Sequence, residues 1–317
     1  MVEISIVLLT KNGGTYLEEV LGKVFIQEIE AEVEVMAIDS GSTDRTKEIL
    51  AKFPIRLKEI PPVLFNHGET RNLAAELSNG KYLVYLTQDA TPFDGRWLDR
   101  LVAPLREDPL VAGAFSSHRP REECHLMEKR QILQTELVSG KKARVNTAIG
   151  NPEYERNRYP FIWFSNTSSC IRKEVWEKIP FRKLEFAEDQ DWAQRVLEAG
   201  YKTVYVPDSI VVHSHHYKPL QNFRRHFEHA QAMKEIFGKK EFPRMASIFY
   251  ASRESVVADY EFYRSEGRKG WGFIRWFFPS LFWYLSAFTG LWLGTHVDKI
   301  PFSLREKLSL QPSIIKK

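Results

Sequence analysis

Acidic side chains stand at the ends of apolar runs in this chain, and that placement locates its chemistry. Asp39-Ser40-Gly41-Ser42-Thr43-Asp44 follows one such run, and Gln88-Asp89 follows another. If both runs are strands of one sheet, their carboxylates reach the same sheet edge and can face one ligand. A third group, Glu188-Asp189-Gln190-Asp191, opens a helical pattern, and His213 closes a β-branched run with His215 and His216 nearby. A carboxylate in such a place can take a proton from an attacking hydroxyl, and an imidazole can ligate a cation or assist electrostatically. Each feature also has a plain structural reading. Asp, Ser and Gly suit the turn after any strand, acids complement any helix N-terminus, and a histidine often only caps a sheet. For Asp44 the capping reading is preferred; for Asp39, the functional one.

The elements that must position these groups follow from periodicity. Residues 4–9 are almost uninterruptedly apolar and β-branched, as in a strand buried on both faces of a parallel sheet. After the turn Asn12-Gly13-Gly14, Tyr16, Leu17, Val20, Leu21, Val24 and Phe25 repeat at helical spacing, and residues 33–38 read as a second buried strand. The pattern continues through a helix over 44–51, a strand over 55–60, a helix starting near Gly68 and a strand over 82–86. Such alternation predicts a doubly wound α/β sheet with ligands beyond the carboxyl ends of its strands. From residue 91 to 159 the signal weakens, with helices expected over 97–105 and 125–138 and a mobile loop over 146–158. Residues 161–172 resume strand character. The helix opened by Glu188 carries Trp192, Val196 and Ala199 on one face and stops at Gly200, and short strands over 201–206 and 209–212 follow.

Composition narrows the function classes. A chain of 317 residues accommodates one large α/β domain plus an appendage. The net charge of +4 lacks the basic balance of a nucleic-acid binder, but it is unevenly placed: residues 264–317 carry nine Lys/Arg against three Asp/Glu. Two cysteines, Cys124 and Cys170, make neither a disulfide framework nor a zinc site, so a reducing compartment is expected. The first residues read as a strand and not as an export signal, which points to the cytoplasm. No G-x-G-x-x-G follows the first strand, and no phosphate-cradling P-loop is present, so a dinucleotide-dependent dehydrogenase is not expected. Residues 276–297 carry no formal charge and are dense in tryptophan. Their Pro279, Gly290 and aromatics suit a headgroup boundary better than a membrane span. The competing reading is that Phe273, Trp276, Phe277, Leu281 and Tyr284 pack against the catalytic domain or a second subunit, as in a homodimer.

Over roughly residues 3–216 the order of these signals resembles the inverting family 2 glycosyltransferases of the GT-A fold. The matching pieces are residues 6–12, Asp39 to Asp44, Gly68-Glu69-Thr70-Arg71-Asn72, Thr87-Gln88-Asp89-Ala90, Glu188-Asp189 with Asp191-Trp192, and His213. Residues 65–72 and 86–90 are similar to rhamnosyltransferase-type members involved in bacterial surface polysaccharides. The resemblance implies a Rossmann-like, mostly parallel sheet flanked by helices over residues 1–220. A helical, aromatic-rich region over 221–317 would then meet the membrane surface or a second subunit.

It further implies that Thr10 and Asn12 line a nucleotide pocket, with Ser42 and Gln88 beside them, and that Asp39 accepts a hydrogen bond from a pyrimidine ring. Arg71, in the first turns of a helix, and Asn72 would contact the diphosphate. Asp89 and His213 would hold Mg2+ or Mn2+, although Thr87, Gln88 and Ala90 offer no second acid. Asp189 would be the general base, Glu188 would orient the acceptor or the base, and Trp163, Asn166 and Trp192 would border the acceptor. The expected reaction is inverting transfer of a sugar, first L-rhamnose from dTDP-L-rhamnose and next a UDP-sugar, to a saccharide or lipid-linked acceptor at the inner face of the cell membrane. A non-catalytic nucleotide-sugar or polysaccharide binding protein with the same fold is the alternative, since fold alone does not separate the two.

Overall fold

The computed structural model describes residues 2–184, 186–242 and 244–309. They fall into two units, the first made of Met1–Arg121, Ile132–Leu184 and Glu188–Ser214. Its centre is a nine-stranded sheet among the described residues: β1 (Ile4–Thr10), β2 (Val33–Asp39), β3 (Arg56–Glu59), β4 (Tyr82–Thr87), β5 (Thr91–Pro92), β6 (Val111–Arg119), β7 (Arg144–Asn146), β8 (Ser168–Arg172) and β9 (Lys202–Val212). The order is β3-β2-β1-β4-β8-β6-β9-β5, with β7 on β9. β1, β2, β3 and β4 run parallel; β8 is antiparallel to β4 and β6, and β6 is parallel to β9.

Both faces of this sheet are covered, which is why its strands read as continuous apolar runs. Ile4, Ile6 and Leu8 of β1 pack with α1 (Leu17–Val24), α2 (Thr46–Leu50) and α4 (Trp97–Glu107). Val7 faces the other way, in a second core with α3 (His67–Leu77), α9 (Lys173–Lys178) and α10 (Glu188–Glu198). All four residues of the edge strand β3 are exposed and three of them are charged, which suits an edge that must not pair with another chain.

Several elements differ from expectation. β6 has no counterpart among the expected strands, because its sequence, VAGAFSSHR, is mostly small and polar. Gly113 there leaves room for aromatics: a Cβ would lie 3.0 Å from the Phe164 ring and 3.1 Å from that of Trp192. The single helix expected over 125–138 is two, α5 (Leu126–Gln134) and α6 (Glu136–Ser139), parted by an extended Thr135. The loop expected over 146–158 begins at the last residue of β7 and holds α7 (Pro152–Arg156), capped by Asn151, whose side chain accepts from the Glu153 and Tyr154 amides. Residues 161–172 are not one strand. They begin within α8 (Tyr159–Ile162), whose first turn tolerates Pro160, and only Ser168 onward pairs in the sheet. The two short strands expected over 201–212 are the single β9, in which residues 207–209 bulge out between the Ser116–Val206 and Ser117–Ile210 pairs. Pro207 lacks the donor the ladder would need.

The second unit comprises Glu122–Gln131, Glu185–Ala187 and His215–Lys317. Its helices are α11 (Pro219–Phe237), α12 (Ala246–Ser265), α13 (Ile274–Thr295) and α14 (Phe302–Leu308). Glycines bring α13 against α11: a Cβ on Gly290 or Gly294 would lie 2.3 Å from the carbonyl oxygen of Phe223 or Phe227. Asp259 of α12, fully buried, accepts from Arg130 Nε at 2.6 Å, from the Tyr284 hydroxyl at 3.0 Å and from the Ser280 hydroxyl. This carboxylate therefore ties α5, α12 and α13 together. Among the described residues no helix is long and apolar enough to cross a membrane.

Candidate active site

The carboxyl ends of β1, β2 and β4 lie side by side, and hydrogen bonds knit the loops that leave them. Asp39 ends β2 opposite Thr10 of β1 and is 0% exposed. Its Oδ1 accepts from the amides of Gly41 and Ser42, at 3.0 and 2.8 Å; its Oδ2 accepts from the hydroxyls of Thr10 and Ser42, at 3.0 and 2.5 Å. Burial alone would raise this carboxyl, but the Ser42 and Thr10 hydroxyls and the two amides hold it below its ordinary value. A carboxylate offers about four acceptor sites, and Asp39 meets four donors, three from the loop after β2 and one from Thr10 of β1. These bonds organise the loop that follows β2.

The neighbouring bonds extend the knot. Asn12 sits at φ 49° and accepts the Thr43 amide on its Oδ1 at 2.9 Å, while its own amide donates to Ser42 Oγ at 2.8 Å. A left-handed asparagine is tolerated where its short side chain can bond locally. Gln88, beyond β4, clasps Lys11 from both sides: Oε1 accepts the Lys11 amide at 2.9 Å and Nε2 donates to the Lys11 carbonyl at 3.0 Å. A Cβ on Gly13 would lie 2.4 Å from Gln88 Oε1, so a larger residue there would push the Gln88 side chain off Lys11. Asp44 accepts the Gly14 amide at 2.9 Å and the Thr46 amide at 3.0 Å, a turn-forming role of the expected kind.

Asp189 reaches the same edge from the other side of β4. The Thr87 amide donates to Thr167 O at 3.0 Å, and the adjoining Asn166 amide donates to Asp189 Oδ2 at 3.2 Å. The Gln190 amide holds Oδ1 at 2.9 Å. Burial and the neighbouring Glu188 charge push the Asp189 carboxyl up to about 7. Glu188 is itself kept low, since the Arg71 guanidinium opposes the effect of its burial. Arg71 Nη1 donates to Glu188 at 2.5 Å, with both side chains 7% exposed. The guanidinium is thus committed to an acid 117 positions away, and its Nε has no hydrogen-bond partner.

A second cluster forms where β9 ends. His213 Nε2 lies 3.6 Å from Asp89 Oδ1, and both side chains retain some exposure. Each offers a ligand atom to one point, so the pair could hold a metal ion. Arg121 steadies Asp89 by donating from Nη2 to its carbonyl at 3.0 Å and to Thr91 Oγ1 at 2.9 Å. Its guanidinium stacks 3.7 Å above the Tyr16 ring, and Nη1 meets Glu19 at 3.2 Å. Nothing in the local sequence marks Arg121, because all these partners are remote along the chain.

Adjacent strand-end loops, a raised carboxyl and an acid–histidine pair at one sheet edge suit transfer of a group from a phosphorylated donor. The sequence description of glycosyl transferase family 2 matches residues 5–175, more than half of the chain. The chain belongs to glycosyl transferase family 2. As a member it is a glycosyltransferase enzyme. O-antigen chain rhamnosyltransferase RfbN of Salmonella typhimurium is 26% identical over 328 residues, covering 98% of this chain and 95% of its own. O-antigen chain rhamnosyltransferase WbaN of Salmonella anatum is likewise 26% identical, covering 99% and 96%. The fold is also that of a solved mannosyltransferase from Pyrobaculum calidifontis in complex with GDP-Man and Mn2+, with TM-score 0.59, 17% identity, and 94% and 88% coverage.

Within this family 2 chain some expected site residues serve the scaffold. Trp192 was expected to border the acceptor but is 0% exposed, its indole donating to Ile179 O at 2.9 Å and its ring packed on Phe164 and Phe181. The apolar face of α10 turns inward and takes Trp192 with it. Asn72 donates to Phe181 O at 2.8 Å and accepts the Trp176 indole and the Phe181 amide, so its amide group is spent on packing. Asn166 is buried and accepts from the Ser169 hydroxyl at 2.7 Å, so its backbone amide, not its side chain, serves Asp189. Trp163 is half-buried against the second core.

Proposed function

We propose that this transferase moves L-rhamnose from dTDP-L-rhamnose to a hydroxyl of a growing saccharide on a lipid-linked acceptor, with inversion, in surface polysaccharide synthesis. The observation that carries the reading is the buried Asp189 carboxylate, held by the Asn166 and Gln190 amides at the sheet edge where β4 delivers Asp89, with its proton affinity raised by burial and by Glu188. A base with a proton affinity near the working pH is the most effective acceptor of a hydroxyl proton. The acceptor oxygen attacks the anomeric carbon from the face opposite the diphosphate. Its O–H proton passes to Asp189, the bond to the donor phosphate oxygen breaks through an oxocarbenium-like state, and nucleoside diphosphate leaves. Names of the near full-length relatives support the rhamnosyl and O-antigen choices.

Asp89 and His213 fit a divalent cation, contributing one carboxylate oxygen and one imidazole nitrogen. When bound, the cation would neutralise charge building on the diphosphate. A nitrogen donor suits Mn2+ better than Mg2+, which prefers an all-oxygen shell. Asp39, Asn12, Ser42 and Gln88 act by holding the loops that face the nucleotide, and Arg71 acts through Glu188. The cation surplus over residues 264–317 and the exposed aromatics of α13 support peripheral contact with the cytoplasmic face of an anionic membrane.

The test is release of nucleoside diphosphate from a panel of dTDP-, UDP- and GDP-sugars, with Mn2+, Mg2+ or a chelator. The rhamnosyl donor should be hydrolysed fastest and Mn2+ should stimulate more than Mg2+. Binding of a donor without turnover, with or without acceptor, would replace the enzyme reading by the binding-protein one.

A further inference from the structure

The second unit contains a cavity of about 820 Å3 that no step of sugar transfer uses. Its size is that of a small-molecule site. Met127, Phe223, Phe278, Phe282, Trp283 and Leu285 make its wall, so its interior chemistry is that of hydrocarbon. One wall residue is a cation: Lys218 is exposed at the start of α11 and makes no ion pair among the described residues.

The surroundings of the cavity indicate how it is approached. Phe278 and Phe282 line it and are nevertheless 57% and 58% exposed. They continue the exposed Ile274 along one side of α13 at spacings of four residues, and the exposed Trp271 lies in the turn just ahead of that helix. The opening therefore lies on an apolar stripe. In the sequence around its start, residues 264–275 hold Arg264, Arg268, Lys269 and Arg275 against one acid, Glu266, which pairs with Arg268 at 3.4 Å and with Lys129. A polar metabolite gains nothing from such walls, whereas an amphiphile with an anionic head meets a cation and an apolar slot together.

We propose that this cavity takes one acyl chain of an anionic glycerophospholipid from the membrane surface, with the phosphate of the headgroup at Lys218. The proposal rests on the reading that the second unit lies on a membrane, and it adds a discrete binding site to that surface contact. The chain leaves its bilayer leaflet and enters the cavity past Phe278 and Phe282. The lipid becomes a removable anchor, so attachment does not depend on aromatic burial alone.

The full-length protein should bind dioctanoyl-phosphatidylglycerol, kept below its micelle concentration, saturably and at one molecule per chain by calorimetry. Glycerol 3-phosphate, the head without the chains, should not bind. Thr289→Phe, which fills the cavity from its wall, should weaken the lipid at least tenfold, while Thr289→Val should bind as wild type. Lys218→Glu should weaken the phosphatidylglycerol and leave dioctanoyl-phosphatidylcholine unchanged. Unaltered melting temperature and donor hydrolysis would show that each variant is folded. Absence of saturable lipid binding, or full binding by Thr289→Phe, overturns the proposal. Cosedimentation with phosphatidylglycerol vesicles separates the two readings. Vesicle binding without monomer binding leaves the surface contact and removes the cavity site. Monomer binding without vesicle binding removes the membrane as the source of the lipid.

Discussion

The Asp189 carboxyl is raised first by burial and then by the Glu188 charge, while Arg71 opposes both. On the proposed role of Asp189 as base, protonation of a carboxyl pushed up to about 7 would stop transfer in acid, so kcat/KM should rise with pH through about 7. Glu188→Gln removes the negative charge that helps raise Asp189, so the acidic limb should move to lower pH; an unmoved limb would assign the ionisation elsewhere. The same change leaves Arg71 buried without its acid and should cost about 3–5 kcal/mol in urea unfolding. Asp189→Asn should cut turnover about a hundredfold or more with donor affinity kept. A raised folded-state carboxyl favours the fold at low pH, and that advantage is lost as pH rises through about 7. The Asn variant should therefore outlast the wild type in thermal melts at pH 8 more clearly than at pH 5. Asp39 has the opposite sign: its contribution is present above its ordinary value of 3.8 and is lost as pH falls below it. Asp39→Asn turns an amide N–H toward donors and should cost about 1–3 kcal/mol, measured by urea unfolding at neutral pH.

Among the elements, legibility followed burial. β1, β2 and β4 are covered on both faces and announce themselves as apolar runs, so residues 4–9, 33–38 and 82–86 were readable within a residue or so. β6 was not, because its neighbours fill the space that its own side chains would otherwise occupy. Its Ser116 bonds the hydroxyls of Ser168 and Ser209, and Trp97 donates to Ser116. Small polar residues serve that layer, yet they carry no strand signature. In the site, positions were legible and partners were not. Asp39, Gln88 and Arg71 stood out by type and place, but each also bonds a partner 29 to 117 positions away that its local sequence does not reveal. The same holds for Asp259 in the second unit. Asp259→Ala should cost about 3–5 kcal/mol by stranding Arg130 inside the helices, with a lower melting temperature as the readout.

At the scale of the whole molecule the distribution of charge matters more than its sum. The +4 total hides a surplus over residues 264–317, next to the exposed aromatics of α13. Association with phosphatidylglycerol vesicles should therefore fall steeply between low and physiological salt, while association with phosphatidylcholine vesicles stays weak throughout. Salt-independent binding to both would mean that apolar burial alone holds the protein there. A different property follows from the bonds joining Lys11, Asn12 and Gly13 to Gln88, Ser42 and Thr46, which tie the loops to one another through the protein's own groups. A visitor meets walls that already stand, so little ordering entropy is left to lose on arrival. Stopped-flow traces of nucleotide uptake should show one exponential whose rate climbs in proportion to concentration, without the plateau that a slow closing step would impose.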